Sequence, residues 1–254
     1  WAETLLKAVD LGFDIASGLH ASLASVPGLA VAAKEKGCQL FDVRHPTEIF
    51  DVGRGHKRSG NRLLTVGTDT SVGKMFTTLA IEKEMRARGA NCSFRATGQT
   101  GIFIAGDGGS VDAVVADFIS GSTEWLCPEN DAGHWDLVEG QGSIHHASYA
   151  GVTLGLLHGS QPDVLVMCHD PGRPHMRGTP SIPVRSLTDT IEACERLARL
   201  TNPDVRTVGV SINTSKLSDE DRERELKDAA DETGLPAVDP VKDGVGPIVD
   251  RIMR

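Results

Sequence analysis

The stretch LLTVGTDTSVGKMFTTLAIE, residues 63–82, decides the fold. Its apolar start reads as a strand ending at Val66, residues Gly67 to Gly73 as a glycine-rich turn, and the remainder from Lys74 as a helix. Such a turn aims successive backbone N–H groups inward while the helix amino terminus adds the positive end of its dipole, so a diphosphate finds a ready anion site. Gly67 and Gly73 permit a backbone path that a Cβ obstructs, and Lys74 supplies a mobile point charge. The cofactor-binding candidates are therefore Gly67, Thr68, Asp69, Thr70, Ser71, Val72, Gly73, Lys74 and Met75. A phosphate loop of this kind usually carries Ser or Thr after its lysine, to ligate Mg²⁺. Met75 stands there instead, and a thioether is a poor ligand for a hard cation, so Mg·ATP turnover is disfavoured and a diphosphate cofactor that is not hydrolysed is favoured.

Outward from the loop, strand and helix patterns alternate. RLLTV, NCSFRAT, WDLVEG, PDVLVMC, RTVGVSIN and LPAVDPV read as strands, separated by helical stretches such as SVDAVVADFISGSTEWL, YAGVTLGLLHGS and LTDTIEACERLARL. Strand–helix units in series predict an α/β fold, a doubly wound parallel sheet with ligands at the carboxyl ends of its strands. Upstream, FDIASGL and CQLFDVR alternate with two helical stretches. Two strands are too few for an independent sheet, so residues 1–45 are expected to be part of a smaller Rossmann-like domain. Residues 46–61 are the expected linker and 62–254 the P-loop domain. The chain opens on Trp1 inside a helical pattern, so a preceding segment is expected.

A net charge of −9 disfavours a general nucleic-acid binder, although Arg44, Arg54, Lys57, Arg58 and Arg62 concentrate positive charge around the linker. The apolar runs fall well short of the roughly 20 residues that cross a bilayer. Five cysteines without a CxxC pair suggest neither a disulfide framework nor a zinc ribbon, and a cytoplasmic setting is expected.

The remaining candidates lie in strand-end loops. In FRATGQTGIFIAGDG, Arg95, Gln99 and Thr100 are substrate-binding candidates and Asp107 a base. DLVEGQGSIHHASYAG places Glu139 at a strand tip, the preferred proton acceptor, with His146 as its competitor. CHDPGRPHMRGTPSIP offers Arg173 and Arg177 for a carboxylate or phosphate. His169, Asp170 and His175 lack the spacing of a metal site, so no metal is expected.

The GTDTSVGK loop resembles that of dethiobiotin synthetases, and DLVEGQGS stands where those enzymes have an EGAGG stretch. RHPTEIFDVG, LLTVGTDTSVGKM, FRATGQTGIFIAGDG, DAVVADFISG, VEGQGSIHH, GLLHGSQPD and LTNPDVR together resemble a bacterial family long filed as a domain of unknown function, whose characterised members are D-glutamate N-acetyltransferases. The resemblance implies acetyl-CoA on the phosphate loop and D-glutamate as acceptor; a homo-oligomer is expected, with neither nucleic acid nor membrane as partner. An ATP-dependent ligase of the dethiobiotin synthetase type is the alternative, and a nucleotide-responsive regulator a third reading.

Overall fold

The computed structural model describes residues 1–46 and 48–254; Thr47, within the expected linker, lies outside the described residues. The amino-terminal unit runs α1 (Ala2–Asp10), β1 (Ile15–Ser17), α2 (Leu29–Lys36) and β2 (Leu40–Asp42). Its two strands pair in parallel, Ile15 against Leu40, over a separate core of Val9, Ile15, Leu23, Val26, Leu29 and Ala33.

The larger unit follows as β3 (Asn61–Gly67), α3 (Lys74–Ala87), β4 (Cys92–Arg95), α4 (Gln99–Ala105), α5 (Ile119–Leu126), β5 (Trp135–Val138), α6 (Ala150–Ser160) and β6 (Val164–His169). It continues with β7 (His175–Met176), β8 (Thr179–Pro183), α7 (Leu187–Ala198), β9 (Arg206–Ile212), α8 (Asp219–Thr233), β10 (Ala237–Val238) and α9 (Gly246–Ile252). Six strands form one parallel sheet in the order β10-β9-β6-β3-β5-β4. Strand alternation sorts the core: Leu64, Val66, Val138, Leu165 and Met167 face α5, α6 and α7 on one side. Leu63, Leu137, Val164 and Val166 face α3 and α9 on the other. The chain leaves β3 for the edge strand β4, returns to β5 between them, and crosses to β6 on the far side. The turn after β3 therefore sits at a switch point, where neighbouring connections diverge and open a crevice.

Four local expectations change. The FRATGQTGIFIAGDG stretch contains α4, a two-turn helix after Gly98 that stops at Gly106 in a left-handed conformation. The helix expected over 110–126 forms only from Ile119, because the β-branched pair Val114 and Val115 sits in extended backbone between two short 3-10 turns. The long polar loop after β6 folds into the β7–β8 hairpin. Proline at the second position of α9 suits the amino end of this further helix.

The basic stretch between the units is fastened rather than solvated. Arg54 and Gly55 donate their backbone N–H groups to Glu124 at 2.9 and 3.0 Å. Buried Arg58 donates to the carbonyls of Cys127 and Gly159, both at 2.8 Å. Arg62, fully buried, donates to the carbonyls of Ser59 at 2.8 Å, Arg58 at 3.0 Å and Pro128 at 3.0 Å. Removing that guanidinium orphans several carbonyls at once, so Arg62→Ala is expected to cost about 3 kcal/mol, read as a lower urea midpoint. Among the described residues no helix is long and apolar enough to cross a membrane.

Candidate active site

The loop Gly67–Met75 wraps the amino end of α3 as its sequence predicts. Gly73 adopts φ +105°, a backbone region that resists side chains, and Ser71 also lies at positive φ. The N–H groups of Gly73, Lys74 and Met75 stand at the amino end of α3, where the first turn of a helix leaves its donors without intrahelical acceptors. Lys74 is buried, and its Nζ donates to the Asp69 carbonyl at 2.9 Å. Burial pulls its pKa down to about 8. Lys74, Thr70, Ser71 and Met75 line a cavity of about 240 Å³ together with Glu139 and Gln141. Two threonines in α3 are turned elsewhere. Thr77 pairs with Ser211 at 2.8 Å and Thr78 with Thr65 at 3.0 Å, so neither hydroxyl replaces the one missing at Met75.

Glu139 follows β5 directly and is buried. Its Oε2 accepts the backbone N–H of Thr97 at 3.0 Å and of Gly98 at 3.3 Å, while Gln141 Nε2 donates to Oε1 at 3.2 Å. Burial outweighs these donors and pushes its pKa up to about 7. The next residue must be glycine on packing grounds: a Cβ on Gly140 would fall 1.7 Å from the Thr65 carbonyl oxygen. This close approach brings Glu139 beside the phosphate loop.

Asp69 turns away from the anion site. Its carboxylate is buried and accepts the N–H of Thr70 at 2.7 Å, the N–H of Arg177 at 2.9 Å and Arg173 Nη1 at 3.1 Å. Arg173 also donates to Asp170 at 2.9 Å and to the carbonyls of Thr70 and Ser71 at 2.6 and 2.8 Å. Its fork is spent holding the loop's shape. Arg95 is likewise occupied, by Asp136 at 2.7 Å. His146 accepts the N–H of Ser148 through Nδ1 at 3.1 Å, which assigns the ring proton to Nε2, the donor to the Arg177 carbonyl at 2.8 Å. With both nitrogens used it holds its neighbours and stacks on Tyr149. Asp107 and Thr100 are exposed and line none of the cavities around the loop. Asp107 accepts its own neighbour's N–H, from Gly108, at 2.8 Å.

Gln99 and Arg177 do reach the site region, on a second cleft of about 640 Å³ that includes His20 and Arg44 of the amino-terminal unit. Arg44 is buried and binds Asp112 and, at 3.2 Å, Gln99 Oε1. A third cavity, about 370 Å³ and largely apolar, lies on the other flank of the loop between Phe76, Asn213, Pro240 and Val241. Sequence reasoning passed over Thr97 and Gln141 as groups that hold Glu139, though their spacing around two strand ends was a usable signal. For His20 and Arg44 no local signal exists, because only the docking of the two units brings them to the loop.

A family model described as the DUF1611 P-loop domain, a domain of unknown function, matches residues 50–249. Its companion, a Rossmann-like domain, matches residues 1–46. A protein of Tritonibacter scottomollicae named D-glutamate N-acetyltransferase is 51% identical over 252 residues, 99% of this chain and 76% of that one. A Pseudoalteromonas protein of the same name is 49% identical over 249 residues, 98% of this chain and 75% of that one. The crystal structure of a DUF1611 family protein from Anabaena variabilis matches at a TM-score of 0.91 and 35% identity, over 98% of this chain and 74% of that one.

Proposed function

We propose, from the premise that this chain belongs to the DUF1611 family of P-loop proteins, that it is an N-acetyltransferase moving the acetyl group of acetyl-CoA to the amine of D-glutamate. The observation that carries the mechanism is Glu139, a buried strand-end carboxyl in the same cavity as Lys74, where burial pushes its pKa up to about 7. A base poised near neutrality is suited to taking a proton from an ammonium group. The diphosphate of the donor lies on the loop amides and Lys74, and its adenosine end in the apolar cavity beside Phe76 and Val241. The freed amine attacks the thioester carbonyl, the C–N bond forms, the C–S bond breaks, and the proton that the nitrogen sheds as it becomes an amide goes to the departing thiolate. Backbone N–H groups of the glycine loops stabilise the oxyanion between these steps.

In this reading residues 1–45 belong to the Rossmann-like unit, 46–61 connect, and 62–254 form the catalytic unit. The protein works as a homo-oligomer in the cytoplasm. Thiol release from acetyl-CoA, followed with D-glutamate, L-glutamate and no acceptor, tests the reaction, with a parallel arm containing ATP and Mg²⁺. D-glutamate-dependent thiol release without ADP formation is expected. ADP formation without thiol release overturns the reading in favour of a ligase.

A further inference from the structure

We propose that the acceptor lies in the cleft between the amino-terminal unit and the P-loop unit, with its distal carboxylate paired to Arg177. The inference rests on the acetyltransferase reading and names the residue that selects a dicarboxylic amino acid. The cleft shares Thr70, Ser71, Gln141 and Gly142 with the cavity that holds Lys74 and Glu139. An amine near Glu139 and a side chain extending into the cleft are therefore served by common walls.

Charge identifies the end that reads the carboxylate. Two arginines line the cleft, and Arg44 is already matched by Asp112. Asp112 is the one carboxylate in the lining, and it also accepts from Ser110 at 3.0 Å. The Arg177 guanidinium has no hydrogen bond or ion pair among the described residues, yet its backbone is gripped on both sides. Its N–H is held by Asp69 and its carbonyl by His146. Two buried residues thus fix the stem of an exposed arginine at the mouth of the cleft. A fork left over in that position matches a planar carboxylate bidentately. An acceptor lacking the second carboxylate desolvates Arg177 without repaying it, so the cleft discriminates against neutral side chains.

Calorimetry on the whole chain tests this without turnover, with glutarate and its monoamide glutaramate as probes. The unaltered protein is expected to bind glutarate about 30-fold more tightly than glutaramate, and Arg177→Ala to remove that difference. Because Arg177 is exposed, the variant keeps its fold, which a melting curve verifies. His146 is a positioning residue: His146→Ala is expected to weaken glutarate about tenfold while acetyl-CoA affinity stays unchanged, and His146→Gln to recover part of the loss. Glutarate preference that survives Arg177→Ala, or its absence from the unaltered protein, overturns the proposal. Arg177-dependent glutarate binding in a protein that transfers no acetyl group upholds the cleft while removing the acetyltransferase reading.

Discussion

Replacing Glu139 by glutamine is expected to lower kcat for acetyl transfer about a thousandfold, within the range that a positioned general base contributes. The substitution keeps the volume of a buried residue, and one amide oxygen still accepts from Thr97 and Gly98. Its new NH₂ meets the Gln141 NH₂, and turning the Gln141 amide over relieves that contact at the cost of its donation to Thr97 Oγ1 at 3.2 Å. The fold and the donor site are therefore retained while the proton acceptor is lost, and KM for acetyl-CoA should change less than about threefold. A variant within tenfold of the unaltered kcat would remove Glu139 from the chemistry.

The pH dependence checks the same group twice. Glu139 accepts a proton only when ionised, so the rate should fall as pH drops through about 7, and this limb should vanish in Glu139→Gln. Stability runs the opposite way. A carboxyl group whose pKa is raised by folding binds its proton more tightly in the folded state. Its contribution is fully present below the ordinary glutamate value of 4.5 and is lost as pH rises through about 7. Between pH 5 and 8 the melting temperature of the unaltered protein should consequently fall more than that of Glu139→Gln. Equal slopes would mean that the carboxyl group is not desolvated.

The phosphate loop and six-stranded sheet were legible because their signals are local. Strand Asn61–Gly67 is an apolar run ending in glycine, and Gly73 before Lys74 marks a turn feeding a helix. Glu139 was legible for the same reason, at the tip of β5 before an indispensable Gly140. What stayed hidden is partner choice among charges. Arg95, Arg173 and Arg177 look alike in sequence, yet Asp136 occupies the first and Asp69 with Asp170 the second, leaving Arg177 open. These assignments depend on contacts spanning 41 residues for Arg95 and 104 for Arg173 with Asp69, which no periodicity encodes. The role of Asp69 was hidden too. Its place in the loop suggests a ligand contact, whereas its burial makes it the bond between loop and hairpin.

Replacing Lys74 by methionine is expected to weaken acetyl-CoA binding about 100-fold, corresponding to about 2.7 kcal/mol of charge-assisted hydrogen bonding to the diphosphate. The site has prepared this loss. Burial lowers the Lys74 pKa to about 8, and its only hydrogen-bond acceptor among the described residues is the neutral Asp69 carbonyl. Such an ammonium makes no direct ion pair among the described residues until the donor arrives. A bound diphosphate favours the charged form and raises the pKa again, so at pH 8.5, where much of the free protein's Lys74 is neutral, binding must draw in a proton. Calorimetric titrations in buffers of different ionisation enthalpy measure that uptake. The unaltered protein should take up a fraction of a proton per acetyl-CoA at pH 8.5, where Glu139 is already ionised and Lys74 is the group poised to titrate. In Lys74→Met the uptake at pH 8.5 should disappear along with most of the affinity. Tight binding that persists in this variant, or uptake unaffected by it, would place the diphosphate away from the Gly67–Met75 loop.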